Sequence, residues 1–376
     1  MKIALVSPEF PPDIGGVETY AHEFVRELAT RGHELTLFTM RHPEGEATIP
    51  GARVVPALKL CRAADRKTFA QHQADVWHVL NAAYAWVALD QPNTVVTVHG
   101  NDFLRPYYPV AQPDLWRSPL LWRYADALAS RLRPYWISRS AALVNRALPK
   151  ARHIITNSRY TERVLLEQVP DCAGRTSPGL VGVAQRFFEV ARRTSSHGPR
   201  HIITVSRLSE PRKNVAEVLH ALAALKASFD FRYTVVGDGA DRARLEALAH
   251  ELGLARQVRF TGFVDDQTLL DTYAAADLFV LTSAIIPASH EGFGIVYLEA
   301  AASGVPCLAA RLAGAVEAVE DGVSGFFVDT PTRESIATSL RAFLSGAIQF
   351  EPQACRDFAH KFSWARVVDH TCAHYT

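Results

Sequence analysis

Glu291 and Glu299 are separated by seven residues, and the segment between them opens on Gly292-Phe293-Gly294 before running apolar through Ile295, Val296 and Leu298. A glycine turn at the head of a helix leaves backbone N–H groups free at the positive end of the helix dipole, an arrangement that suits a phosphate. Glu291 precedes the helix and can face a sugar. Glu299, about two turns in, can accept from ribose hydroxyls. Two unrelated surface carboxylates would share this spacing, but Phe293, Val296 and Leu298 do not read as an exposed face. A second group is cationic: Ser206-Arg207-Leu208 is followed by Lys213-Asn214, placing two cations six positions apart after an apolar run. Such a pair can hold a departing diphosphate without a metal; taken alone it also fits a solvated basic loop.

Three further segments follow strand-like runs. Pro11-Pro12-Asp13-Ile14-Gly15-Gly16-Val17-Glu18 joins a strand to a helix, where Gly15 and Gly16 allow close backbone approach to a ligand or simply make the turn. Thr97-Val98-His99-Gly100-Asn101-Asp102 ends an apolar strand, so His99 faces a cleft or bonds nearby backbone. Val235-Val236-Gly237-Asp238-Gly239 is another strand-to-glycine junction, lacking the G-x-G-x-x-G spacing; Asp238 reads as a helix cap.

The elements that must carry these residues alternate. In the first half, Lys2–Ser7, Glu34–Thr39, Val76–Val79, Thr94–Val98 and His153–Thr156 read as buried parallel strands, and Glu18–Arg31 as a helix with Val17, Tyr20, Ala21, Phe24, Val25 and Leu28 on one face. A second alternation begins at His201–Ser206. Its helices are expected over Val215–Ser228, Asp241–Leu252, Asp266–Ala275 and Gly294–Ser303, and its strands over Arg232–Val236, Val258–Phe260, Leu278–Thr282 and Pro306–Ala309. Repeated β-α-β order predicts helix-covered parallel sheets, an α/β class with two Rossmann-like domains. The polar stretch 191–200 is the expected linker, between an N-terminal domain over 1–190 and a C-terminal domain over 201–355, with 356–376 a helix returning to the first domain.

Length, composition and charge limit the alternatives. The 376 residues suit two domains, and 48% hydrophobic with 21% charged residues is ordinary for a globular protein. A formal net charge of +1 excludes nucleic-acid binding through bulk charge. The five cysteines, Cys61, Cys172, Cys307, Cys355 and Cys372, form no C-x-x-C pair, which argues against a zinc site or a disulfide framework and for a reducing cytoplasm. No run approaches the roughly 20 apolar residues of a membrane span, and Ile3–Val6 is too short for a signal-peptide core.

The ordered set from Gly15-Gly16, through His99 and the Arg207/Lys213 pair, to the Glu-x7-Glu segment and Phe362-Ser363-Trp364 resembles the retaining glycosyltransferases of family 4. The resemblance implies a GT-B fold, with two Rossmann-like domains facing each other across a cleft. It also implies transfer of a hexose-type sugar from a nucleotide diphosphate donor to a glycan or lipid-linked acceptor, in cell-surface polysaccharide or glycolipid synthesis. Carried onto this chain, it puts Gly16 near the donor phosphate, His99 and Glu291 on the transferred sugar, and Arg207 and Lys213 on the diphosphate. Phe293 and Gly294, at the head of the helix that Ile295 begins, supply backbone contacts, and Glu299 binds the ribose. No cofactor and no metal are expected, since no Asp-x-Asp follows a strand. One departure stands out: where the family often has Gly-Gly-x-Pro-Glu, this chain reads Ala313-Gly314-Ala315-Val316-Glu317.

The stretch Arg105–Arg139 holds six arginines against Asp114 and Asp126, with Tyr107, Tyr108, Trp116, Trp122, Tyr124, Tyr135 and Trp136 among them. Basic and aromatic residues together suit an anionic membrane surface, and equally an ordinary domain surface over buried aromatics. The expected location is the cytoplasm or the inner face of the cell membrane. Two other readings keep the same residues: a sugar-nucleotide epimerase of similar architecture, and a non-catalytic nucleotide-sugar sensor.

Overall fold

The computed structural model describes the chain apart from residues 14, 43, 44, 46, 107, 109, 112–118 and 194–197; side chains of 119–130 are also left undescribed. The aromatic positions Tyr107, Trp116, Trp122 and Tyr124, with Arg117 and Arg123, therefore lie outside the described side chains.

The chain forms two compact units, Met1–Val181 with Trp364–Thr376, and Gly182–Ser363. The division falls ahead of the expected linker at 191–200, so residues 182–190 go with the second unit. In that stretch Phe187 is buried and its carbonyl accepts from Ser303 Oγ at 3.3 Å. At the other end only the segment from Trp364 onward belongs to the first unit.

The first unit is a seven-stranded, all-parallel sheet of β1 (Lys2–Val6), β2 (Glu34–Met40), β3 (Ala52–Leu58), β4 (Val76–Val79), β5 (Thr94–Val98), β6 (His153–Thr156) and β7 (Thr176–Pro178), in the order β3-β2-β1-β4-β5-β6-β7. Its helices include α1 (Gly16–Ala29), α2 (Arg62–Phe69), α3 (Pro119–Ala147) and α4 (Arg159–Gln168). Tyr20, Ala21, Phe24, Val25 and Leu28 of α1 are buried, as a 3.6-residue period requires, and Val17 is half-buried. The second unit is a six-stranded parallel sheet of β8 (Arg200–Val205), β9 (Phe231–Val236), β10 (Val258–Gly262), β11 (Leu278–Leu281), β12 (Cys307–Ala310) and β13 (Gly325–Val328), in the order β10-β9-β8-β11-β12-β13. It carries α5 (Val215–Leu225), α6 (Arg242–Glu251), α7 (Asp266–Ala275), α8 (Ile295–Ala302), α9 (Ala315–Ala318), α10 (Arg333–Leu344) and α11 (Pro352–Ala359). The last helix, α12 (Trp364–Cys372), packs on α1 in the first unit, with Trp364 edge-on to Tyr20 at 5.3 Å.

In each sheet the chain order reverses beside the first strand, at β1/β4 and at β8/β11. Loops leaving the carboxyl ends of those strands diverge there and open a crevice, the place where open α/β sheets take ligands. Gly15 and Gly16 follow β1, His99 follows β5, Arg207 and Lys213 follow β8, Gly237 follows β9, and Glu291 lies between β11 and α8.

Candidate active site

In the first unit the loop after β5 is built around one carboxylate. Asp102 Oδ1 accepts from the His99 amide at 3.0 Å and Oδ2 from the Ala82 amide at 2.9 Å, tying that loop to the segment after β4. His99 Nε2 lies 3.0 Å from the Leu80 carbonyl, so Nε2 carries the proton and Nδ1 keeps its lone pair for a ligand hydroxyl. Burial lowers the imidazole to about 4, against the opposing pull of the Leu80 carbonyl, and keeps it neutral. The ring stands edge-on to Tyr20 of α1, centroids 4.6 Å apart, which connects His99 to the helix that Gly15 and Gly16 begin. At that helix start, a side chain on Gly15 would collide with the Glu18 carboxylate, itself buried with Oε2 unpartnered among the described residues.

The loop's pinning group titrates. Burial raises Asp102 to about 6, despite the amides that favour its charged form. Because the folded value exceeds the ordinary one, its stability contribution is present below about pH 4 and is lost as pH rises through about 6. The loop geometry has the opposite preference, since only the carboxylate accepts from both amides. Turnover is therefore expected to fall as pH drops below about 6. Asp102→Asn should lower kcat about tenfold or more at neutral pH and abolish that acid limb; an unchanged kcat–pH profile in the variant would remove Asp102 from this role.

In the second unit Glu291 is the centre. Its Oε2 accepts from Lys213 Nζ at 2.8 Å, Arg212 Nη1 at 2.9 Å and Ser283 Oγ at 2.9 Å. Burial alone would raise this carboxyl; Lys213 and Arg212 override it and hold Glu291 far below the usual carboxylate range. The sequence-based division, with both cations on the diphosphate and Glu291 on the sugar, must thus accommodate an ion pair between Lys213 and Glu291. Arg212 is the member the sequence reading passed over. Its side chain is 8% exposed and also pairs with Glu210, which in turn sits 3.7 Å from the 38%-exposed Arg207. The chain of charges Arg207–Glu210–Arg212–Glu291–Lys213 carries one more cation than anion, and Arg207 is its most open member.

The remaining expected residues sit on strand ends and one turn. Gly237, at φ +123, tucks so closely against the Ser206 backbone that any Cβ would strike the Ser206 carbonyl oxygen. Asp238 is no helix cap: it accepts from the Gly239 amide at 2.7 Å and pairs with Arg242 at 2.9 Å. Gly294, at φ +90, precedes α8 without a side-chain cap, which leaves the Ile295 and Val296 amides for an anion, while the Tyr297 amide donates to the Gly294 carbonyl at 3.0 Å. Phe293 turns its ring inward toward Phe362, centroids 5.9 Å apart, so only its backbone can serve a ligand. Glu299 lies little more than one turn into α8, nearer its start than expected. Its Oε2 accepts from Tyr273 O–H at 3.0 Å, and burial pushes the carboxyl up to about 7. The departing loop also finds a place: the Gly314 amide donates to the Glu291 carbonyl at 3.0 Å, and a Cβ on Gly314 would strike the Gly292 carbonyl. Ile285 and Ile286, just before Glu291, are exposed. No group of three or more His, Cys, Asp or Glu among the described residues could hold a metal ion.

Two family descriptions match this chain: Glycosyltransferase Family 4 over residues 14–177 and Glycosyl transferases group 1 over residues 186–361. The GDP-mannose-dependent alpha-(1-6)-phosphatidylinositol monomannoside mannosyltransferase of Mycolicibacterium smegmatis is 30% identical over 364 residues, spanning 91% of this chain and 88% of that protein. Glycogen synthase of Mycobacterium tuberculosis is 25% identical over 412 residues, spanning 100% of this chain and 94% of that protein. Among solved structures, sucrose-phosphate synthase from Thermosynechococcus elongatus superposes with a TM-score of 0.76 at 21% identity, covering 100% of this chain and 98% of that one. The chain belongs to the group 1, family 4 glycosyltransferases, with the two parallel-sheet domains of the GT-B fold. It is thereby a glycosyltransferase rather than an epimerase or a non-catalytic sensor. None of its described helices is long and apolar enough to cross a membrane.

Proposed function

We propose that this enzyme transfers a hexose-type sugar from a nucleotide diphosphate to a glycan or lipid-linked acceptor, with retention of anomeric configuration and without a metal. The observation that carries the mechanism is the set of three donors on one oxygen of Glu291. Retention through two displacements needs a carboxylate nucleophile. A carboxylate neutralised by Arg212, Lys213 and Ser283 is a poor one, and it is better suited to orienting sugar hydroxyls.

The alternative is substitution on one face. The bond from the anomeric carbon to the diphosphate oxygen breaks, and its electron pair goes to that oxygen. Arg207, Lys213 and the amides at the head of α8 stabilise the developing charge. The acceptor oxygen bonds to the oxocarbenium-like carbon from the same side, and its proton passes to the departing phosphate oxygen. His99 Nδ1 accepts from a sugar hydroxyl, and Glu299 from the ribose. The relatives support the donor class: one is named as GDP-mannose-dependent, with an acceptor containing phosphatidylinositol. Such an acceptor would bring the enzyme to the cytoplasmic membrane surface, in glycolipid or polysaccharide synthesis.

A thermal-shift screen of UDP-, GDP- and ADP-sugars identifies the donor, since a ligand at 100 times its dissociation constant stabilises by about 2.7 kcal/mol. With that donor, and in EDTA, the product anomer is read by NMR and the intact protein by mass spectrometry after a poor acceptor is added. The expected results are a retained anomer, undiminished turnover in EDTA, a measurably active Glu291→Gln, and no sugar on the protein. An inverted product, a glycosyl adduct on Glu291, or magnesium-reversible loss in EDTA would overturn the mechanism.

A further inference from the structure

In the first unit, between the loop after β5 and helix α3, lies a cavity of about 400 Å³. Leu104, Pro134, Ile137 and Ala141 give it an apolar wall, and the exposed Arg105 and Arg133 also line it. Its size falls within the range of small-molecule sites. Some arginines of this unit have carboxylate partners, among them Arg66 on Asp90 at 2.8 Å and Arg31 on Asp369 at 2.9 Å. Neither Arg105 nor Arg133 pairs with a described residue. Two cationic residues lining one concavity favour a dianionic ligand, which can use the planar donor fork of each side chain. The apolar wall adds a place for a hydrocarbon substituent beside the anion.

We infer that this cavity anchors the acceptor through a phosphate group, with Arg105 and Arg133 as its ligands and an apolar portion of the acceptor against Leu104 and Ile137. The inference rests on the transferase reading above and supplies the acceptor's chemical class. The location suits that task. Arg105 is six residues beyond His99 on the same loop; its amide donates to the Asn101 carbonyl at 2.9 Å, and Asp102 pins the intervening backbone. An anion held at Arg105 is therefore seated on the loop that also presents His99. A phosphate anchor fixes the acceptor by a group that does not react, leaving its hydroxyl to be aligned with the sugar.

The test is calorimetric titration of the whole protein with monomeric dihexanoyl phosphatidic acid, glycerol 3-phosphate and neutral dihexanoylglycerol. The short-chain phosphatidic acid is expected to bind most tightly. Arg105→Ala/Arg133→Ala should weaken it about tenfold or more, since hydrogen bonds to charged groups are worth about 1.5–3 kcal/mol each; Arg105→Lys/Arg133→Lys should recover part of that loss. Donor-induced thermal stabilisation should be unchanged in both variants. It reads the transferase assignment separately, so failure of one inference is distinct from failure of the other. Tight glycerol 3-phosphate binding with no gain from the acyl chains, still lost in the double alanine variant, supports the anion site and assigns it to a soluble phosphomonoester. Unchanged affinity in the double alanine variant overturns the proposal, as does equal affinity for the neutral lipid. Binding only to phosphatidylcholine vesicles doped with phosphatidic acid, with none to the dispersed lipid, overturns it in favour of a bilayer surface.

Discussion

Arg207→Ala and Lys213→Ala are each expected to lower kcat by about 10²–10³-fold, the usual loss when one donor to a developing oxyanion is removed. The two should differ in their side effects. Arg207 is partly exposed and its ion pair to Glu210 is a long one, 3.7 Å, so its removal should shift stability by less than about 1 kcal/mol. Lys213 is nearly buried against Glu291, and its loss leaves that carboxylate on Arg212 and Ser283 alone. Lys213→Ala should therefore lose turnover and some thermal stability together. Release of free nucleoside diphosphate, measured beside melting curves, separates the effects; near wild-type kcat in both variants would take these cations out of the reaction.

The largest stability effect is expected at Arg212. Arg212→Met replaces an almost fully buried guanidinium that contacts Glu291 and Glu210 with an uncharged chain of similar reach. Removing one partner of a buried ion pair typically costs about 3–5 kcal/mol, because the other charge stays desolvated. Lys213 and Ser283 remain on Glu291, so about 3 kcal/mol is expected. Glu291→Gln in the Arg212→Met background should restore part of it, as the stranded charge is gone. Strictly additive losses in chemical denaturation would show that the two side chains do not act as a pair. Glu291 also makes this network acid-resistant. Its folded value is depressed, so its stability contribution is present above the ordinary carboxylate value and is lost only as pH falls through the much lower folded one.

The residues legible in the sequence were those at strand carboxyl ends, where a buried apolar run stops at a polar or glycine residue. Gly15-Gly16, His99, Arg207 and Gly237 all sit at such junctions, and the switch points of the two sheets explain why. Arg212 was illegible because an arginine beside Lys213 looks like a second solvated cation. What marks it is long-range burial against Glu291, 79 residues away. Asp102 stood in the quoted segment without a role, since its partner amide at Ala82 belongs to a different strand's loop. The edge strand Ala52–Leu58 was missed because Arg53 and Pro56 break its apolar run; Pro56 is tolerated at a sheet edge that needs fewer ladder donors. Helix starts were misplaced by one or two residues at Gly16 and Ile295, where glycines rather than Ser, Thr, Asp or Asn precede the first turn.

The membership of Trp364–Thr376 in the first unit has a consequence for biosynthesis. Tyr375 is buried there, its hydroxyl 2.7 Å from His78 Nδ1, and Arg152 donates to its carbonyl at 3.2 Å. The second unit is one continuous stretch, Gly182–Ser363, whereas the first is interrupted by it. A nascent chain emerging from the ribosome therefore carries every residue of the later-encoded unit before it carries the last pieces of the earlier one. The usual order, amino-terminal domain first, is reversed at the point of completion. His78 must wait for a side chain encoded 297 codons downstream. During that interval the seven-stranded sheet stands without the helix that packs on α1 and without the hydroxyl partner of His78, open there to chaperones and proteases.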